Sequence, residues 1–104
     1  MQVPLQITFR NIDRSDALEA RIRSDASKLE RFHPRINRCR VTIEETQRHH
    51  DPQGRKFCVA IEVRVPGKDL TSTKEDEDVY VAVRDSFVAI RRQLEDVAKE
   101  MKLT

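Results

Sequence analysis

The sequence predicts an α+β domain in the order β-α-β-β-β-α, a four-stranded mixed sheet with two parallel helices on one face. Three observations carry this. Three stretches, 4–10, 39–44 and 56–65, alternate apolar and polar residues, and a shorter fourth run, 68–74, follows a Pro-Gly pair. Two stretches, 16–32 and 77–102, space their apolar residues by three and four. Turn-forming residues separate the last three strands. Period two marks a half-buried strand, and a period near 3.6 marks a helix with one apolar face.

In "PLQITFR", Leu5, Ile7 and Phe9 face one way and Gln6, Thr8 and Arg10 the other. Asp13 or Ser15 then offers an N-cap. Leu18, Ile22, Leu29 and Phe32 give a first helix over Asp16–Phe32, which Pro34 stops. "CRVTIE" turns Cys39, Val41 and Ile43 inward. "TQRHHDPQGR" reads as a hairpin loop through Asp51, Pro52 and Gly54. "KFCVAIEVRV" lines Phe57, Val59, Ile61, Val63 and Val65 along one face, and Pro66-Gly67 makes a tight turn into "KDLTSTK". Asp76, Glu77 and Asp78 stand where a helix N-terminus favours negative charge. The second helix carries a stripe of Val79, Val83, Phe87, Ile90, Leu94, Val97 and Met101.

One apolar stripe per helix requires both helices on the same sheet face. The first strand, helix and second strand form a parallel unit with an expected right-handed crossover. Short turns make the remaining strands antiparallel, so the two helices point the same way. A chain of 104 residues holds one domain, 1–104.

The chain is 37% charged and 38% hydrophobic, with 20 basic and 18 acidic residues and a net charge of +2. Polyanion binding must therefore come from sorted charge, not from a bulk field. Both helices are sorted. Arg21, Lys28 and Arg31 share one flank of the first, with Glu19 and Glu30 on the other. In the second, Arg84, Arg91 and Lys102 share a flank, Arg92 and Lys99 face outward, and Asp85, Asp96 and Glu100 oppose them. Arg48, Arg55 and Lys56 add cations around one loop. Phosphates need point or forked cations in no strict spacing, so the eight cations of the two helices are the candidate nucleic-acid contacts.

Catalytic chemistry finds no support. Gly54 and Gly67 are the only glycines, too few for a phosphate-cradling loop. Ser72 and Ser86 lack a histidine partner by pattern. His49, His50 and Asp51, with His33 as a further ligand, lack the spacing of a zinc site. Cys39 and Cys58 fall on opposite faces, so no disulfide is expected. No cofactor, metal or membrane span is expected, and a soluble cytoplasmic protein is the default. With no Trp and only Tyr80 as tyrosine, aromatic base stacking is not expected to dominate.

"SKLERF" at 27–32 followed by Pro34, and "EDVYVAV" at 77–83 with "RRQL" at 91–94, resemble the ribosome hibernation promoting factor / ribosome-associated inhibitor family. That family is also known as sigma-54 modulation or ribosomal subunit interface proteins, and the resemblance covers essentially the whole chain. It implies a fold similar to double-stranded-RNA-binding domains. It implies a non-enzymatic translation inhibitor that binds small-subunit (30S) rRNA in the mRNA and tRNA channel, at the A and P sites, during stationary phase or stress. Lys28 and Arg31 match basic positions of the family's "KLER" segment, Arg92 the arginine before its glutamine, here Gln93, and Tyr80 the aromatic opening the second helix. The family commonly has lysine where this chain has Ala89 and Asp96. The expected handedness turns those two toward the first helix, giving an interhelical groove that carries Glu19, Glu30, Asp96 and Glu100. Arg84 and Arg91 then fall on the outer flank, with the stem of Arg91 covering the sheet edge, and Arg92 is the expected principal contact. The partners implied are the small subunit and its rRNA, with no DNA and no membrane, and a monomer is favoured. The alternative reading is a protein–protein regulatory module that kept the fold and lost tight rRNA binding.

Overall fold

The computed structural model describes residues 4–47 and 55–103, with side chains described for 4–46 and 56–100. The elements run β1 (Leu5–Arg10), α1 (Asp16–Lys28), a 3-10 turn (Leu29–Arg31), β2 (Arg38–Gln47), β3 (Arg55–Val65), β4 (Lys68–Asp76) and α2 (Val79–Leu103). The sheet order is β1-β2-β3-β4, with β1 parallel to β2 and the other pairs antiparallel. The expected class and element order are those observed.

Local chemistry sets the element ends. Ser15, not Asp13, is the cap of α1: its backbone is extended and its Oγ accepts the Leu18 amide at 3.2 Å. The α-helix stops at Lys28, four residues before the expected Phe32, because the chain tightens into the 3-10 turn ahead of Pro34. Asp76 ends β4 instead of opening α2, and the Asp78 carboxylate accepts the Tyr80 amide at 2.9 Å as the cap. Between β3 and β4, Gly67 has a φ of 78°, the positive value that a type II turn after proline requires. Residues 48–54, where the hairpin loop is expected, with Arg48, His49, His50, Asp51, Pro52 and Gly54, lie outside the described residues, as does the side chain of Arg55.

The inward rows of the sheet match the alternation. Leu5, Cys39 and Val63 stand in register, as do Ile7, Val41 and Ile61, and Phe9, Ile43 and Val59. Cys39 is fully buried, which pushes its thiol pKa up to about 12, while Cys58 lies on the opposite face. The helices meet this surface with Leu18, Ile22 and Ala26 from α1, Leu29 from the 3-10 turn, and Ala82, Val83, Phe87, Ile90 and Leu94 from α2. Each fully covered aliphatic side chain contributes about 1.5–3 kcal/mol. Two buried serines join α2 to the sheet: Ser86 Oγ donates to the Val59 carbonyl at 2.8 Å, and Ser72 Oγ to the Ser86 carbonyl at 2.9 Å.

The flanks of α2 reveal a handedness opposite to the expectation. On one flank, Gln93 Nε2 donates at 2.7 Å to the carbonyl of Thr71, on the edge strand β4. On the other flank, Arg84 and Arg91 face α1. A right-handed helix antiparallel to β4 meets both conditions only if β1 and β2 lie on the left-handed side, so the β1-α1-β2 crossover is left-handed. Right-handed crossovers are the rule, and periodicity cannot flag the exception. It shows which residues share a flank, while the side on which the chain crosses is set by long-range strand pairing.

Candidate nucleic-acid interface

The reversed handedness changes the groove between the helices. It is lined by Arg21, Asp25, Lys28, Leu29, Arg31 and Phe32 from the first helical segment, and by Arg84, Phe87, Val88 and Arg91 from α2. None of the four expected acids lines it. Glu19 sits on the far flank of α1, held by Arg14 at 2.8 Å and Arg23 at 3.1 Å, which lower its carboxyl pKa. Ala89 and Asp96 fall on the flank of α2 turned away from α1. The acidic groove of the sequence reading is therefore corrected to a groove with five cations and one carboxylate.

Four apolar residues separate the walls at the floor. Leu29 and Phe87 are buried, and Phe32 and Val88 are half-buried beside them. Contrary to the expectation, Arg91 does not cover the sheet edge. Its guanidinium carbon lies 5.6 Å from the centroid of the Phe32 ring, on the α1 side. That cation–ring contact contributes about 0.5–1 kcal/mol at an exposed position.

The five cations differ in how they are held. Arg21 pairs with Asp25 at 3.0 Å, Arg84 with Asp85 at 3.3 Å and Arg91 with Glu95 at 3.5 Å. These exposed pairs orient side chains but contribute little stability. Lys28 and Arg31 have no ion pair among the described residues and are exposed. Both stand near the C-terminal end of the first helical segment, where the helix dipole favours positive charge.

Of the eight candidate contacts, Arg21, Lys28, Arg31, Arg84 and Arg91 thus converge on one groove. Arg92 and Lys99 are exposed and do not line it. The side chain of Lys102 lies outside the described residues. Lys56 is half-buried on the outer sheet face, in register with Thr46. His33 is no ligand in waiting: it is 2% exposed, its Nδ1 accepts the Arg35 amide at 3.0 Å, and burial with nearby Arg35 lowers its pKa. No group of three or more potential metal ligands occurs among the described residues. No helix among them is long and apolar enough to cross a membrane.

Sequence reasoning missed Phe32 and Val88 as groove floor and Ser72 and Ser86 as buried links. The serines carried a signal, since Ser72 continues the inward row of Leu70 and Ser86 lies within the apolar stripe of α2.

The sequence matches the family described as sigma 54 modulation protein / S30EA ribosomal protein over residues 5–102. The chain belongs to this family. A similar relative is a ribosome hibernation promotion factor of Deinococcus radiodurans, 26% identical over 89 residues. The match covers 86% of this chain but 46% of that protein, so the chain spans about half the length of the relative. Among solved structures, the fold is similar to the N-terminal domain of Thermus thermophilus Protein Y, with a TM-score of 0.77 and 20% identity over 93% of this chain and 99% of the other. It is also similar to a ribosomal subunit interface protein from Coxiella burnetii, with a TM-score of 0.68 and 20% identity over 98% and 100%.

Proposed function

We propose that this chain is a ribosome-associated translation inhibitor that uses the α1–α2 groove to hold rRNA phosphates of the small subunit. One observation carries the reading: five cations from two parallel helices meet in one groove that contains a single carboxylate, already paired. Family membership supplies the ribosomal context. The rigid sheet behind the helices then fills the mRNA and tRNA channel at the A and P sites, and idle ribosomes are silenced during stationary phase or stress. The action is steric and electrostatic, in the cytoplasm, and requires no catalytic step.

Co-sedimentation with purified small subunits over a range of salt tests this. Each phosphate neutralised contributes roughly 0.7–0.9 to the slope of log affinity against log salt. The expected result is steep loss of binding as salt rises. Recovery of the protein at the top of the gradient even at low salt overturns the reading and favours a protein–protein regulatory module.

A further inference from the structure

Phosphate contacts leave the floor of the groove unused. Leu29, Phe32, Phe87 and Val88 lie between the cationic walls, in a cavity of about 330 Å³. That volume reaches the lower end of small-ligand sites, roughly 300–1,000 Å³. A paired RNA backbone laid across the groove meets the cations alone. An unpaired nucleotide offers both chemistries, a flat base with apolar faces and a phosphate on either side.

The walls suit that division. Arg91 sits over Phe32, so a guanidinium and an aromatic ring adjoin at one end of the floor. Unpaired bases stack on such rings and guanidinium planes. Lys28 and Arg31 are exposed and have no ion pair among the described residues, so a phosphate displaces no carboxylate to reach them. Arg21 and Arg84 stand about two helical turns away toward the helix N-termini and receive the neighbouring phosphate.

We propose that the groove takes in a single unpaired RNA nucleotide, its base against the Phe32–Arg91 step and its flanking phosphates on the two pairs of cations. This rests on the polyanion reading of the same groove and adds to it a preference for splayed single strand over paired helix. It adds one stacking contact to a chain in which aromatic stacking is not expected to dominate binding. The stacking surface is an arginine on a phenylalanine, which a count of tryptophan and tyrosine does not detect.

The test compares the full chain on two RNA probes, an adenosine 12-mer and a ribose-phosphate 12-mer of equal phosphate number lacking every base. The adenosine strand is expected to bind about tenfold tighter, the order of one stacked base. Arg91→Lys keeps the charge and removes the plane. It is expected to shrink the adenosine-to-abasic affinity ratio from about tenfold toward one, and this ratio, in which the change in phosphate contact cancels, is the readout. Phe32→Leu keeps an apolar floor and is expected to act in the same direction. Equal affinity of the parent protein for the two probes overturns the nucleotide pocket and leaves the phosphate reading standing. Failure to bind either probe at low salt overturns both.

Discussion

The two flanks of α2 share one buried stripe and are built for different purposes. The flank toward α1 carries Arg84 and Arg91, and across the groove from them stand Arg21, Lys28 and Arg31. The flank toward β4 carries Asp96 and Ala89, and its Gln93 is tied to the Thr71 carbonyl of the edge strand. One side gathers cations around an open groove. The other satisfies a backbone acceptor of an edge strand, which also guards that edge against pairing. The resemblance places lysine at positions 89 and 96 in relatives. In this chain the positive charge of α2 instead sits on the opposite flank, so charge count alone hides a change of face.

Substitutions that remove the shared stripe disturb both flanks and give the largest effect. Leu94 is fully buried between them. Leu94→Ala is expected to lower stability by about 2–5 kcal/mol, read from urea unfolding. Next come groove cations, whose loss separates binding from stability. Lys28→Ala or Arg31→Ala is expected to weaken small-subunit binding by about 1.5–3 kcal/mol if a charge-assisted phosphate bond is lost. The urea midpoint is expected to stay near that of the parent, since neither side chain has an ion pair among the described residues.

Gln93→Ala tests the other flank. The expected cost is about 0.5–1.5 kcal/mol of stability, for one net hydrogen bond, with ribosome binding unchanged. Smallest is Asp96→Lys, which restores the residue type that the resemblance expects. It is predicted to change stability by no more than about 0.5 kcal/mol. A large gain in ribosome affinity from it would move the interface to the β4 flank.

Acidity gives a further contrast between buried structure and exposed groove. Burial lowers the His33 pKa in the folded chain below the ordinary value near 6.5. The unfolded chain therefore binds the proton first. Stability contributed by neutral His33 is full above about pH 6.5, falls as the pH drops below it, and levels off beneath the folded pKa. His33→Gln, measured by thermal unfolding between pH 8 and pH 5, is expected to flatten that decline.

Much of this was legible in the sequence for identifiable reasons. Alternation at Cys39, Val41 and Ile43 and at Val59, Ile61 and Val63 marked the inner sheet face, because a strand half-covered by helices must segregate its side chains. The flank shared by Arg21, Lys28 and Arg31, and that shared by Arg84 and Arg91, followed from helical geometry alone. What could not be read was that the two flanks face each other. That depends on the hand of one crossover, which no local pattern encodes, and the usual preference pointed the wrong way. The end of α1 was misplaced for a smaller reason: Leu29 and Phe32 keep apolar spacing through the 3-10 turn, so periodicity outlasts the α-helix.

The central claim is that the groove between the helices, and not the outward face of α2, holds the ribosomal phosphates. Arg84 and Arg91 line the groove, while Arg92 and Lys99 stand exposed outside it on the same helix. The direct measurement is small-subunit affinity at one fixed salt concentration for two double variants of equal charge change, Arg84→Glu with Arg91→Glu and Arg92→Glu with Lys99→Glu. The account predicts that the groove pair loses at least about tenfold for each phosphate bond broken, from 1.4 kcal/mol or more per bond, while the outward pair stays within a few-fold of the parent. Strong loss in the outward pair with near-parental binding in the groove pair would contradict it.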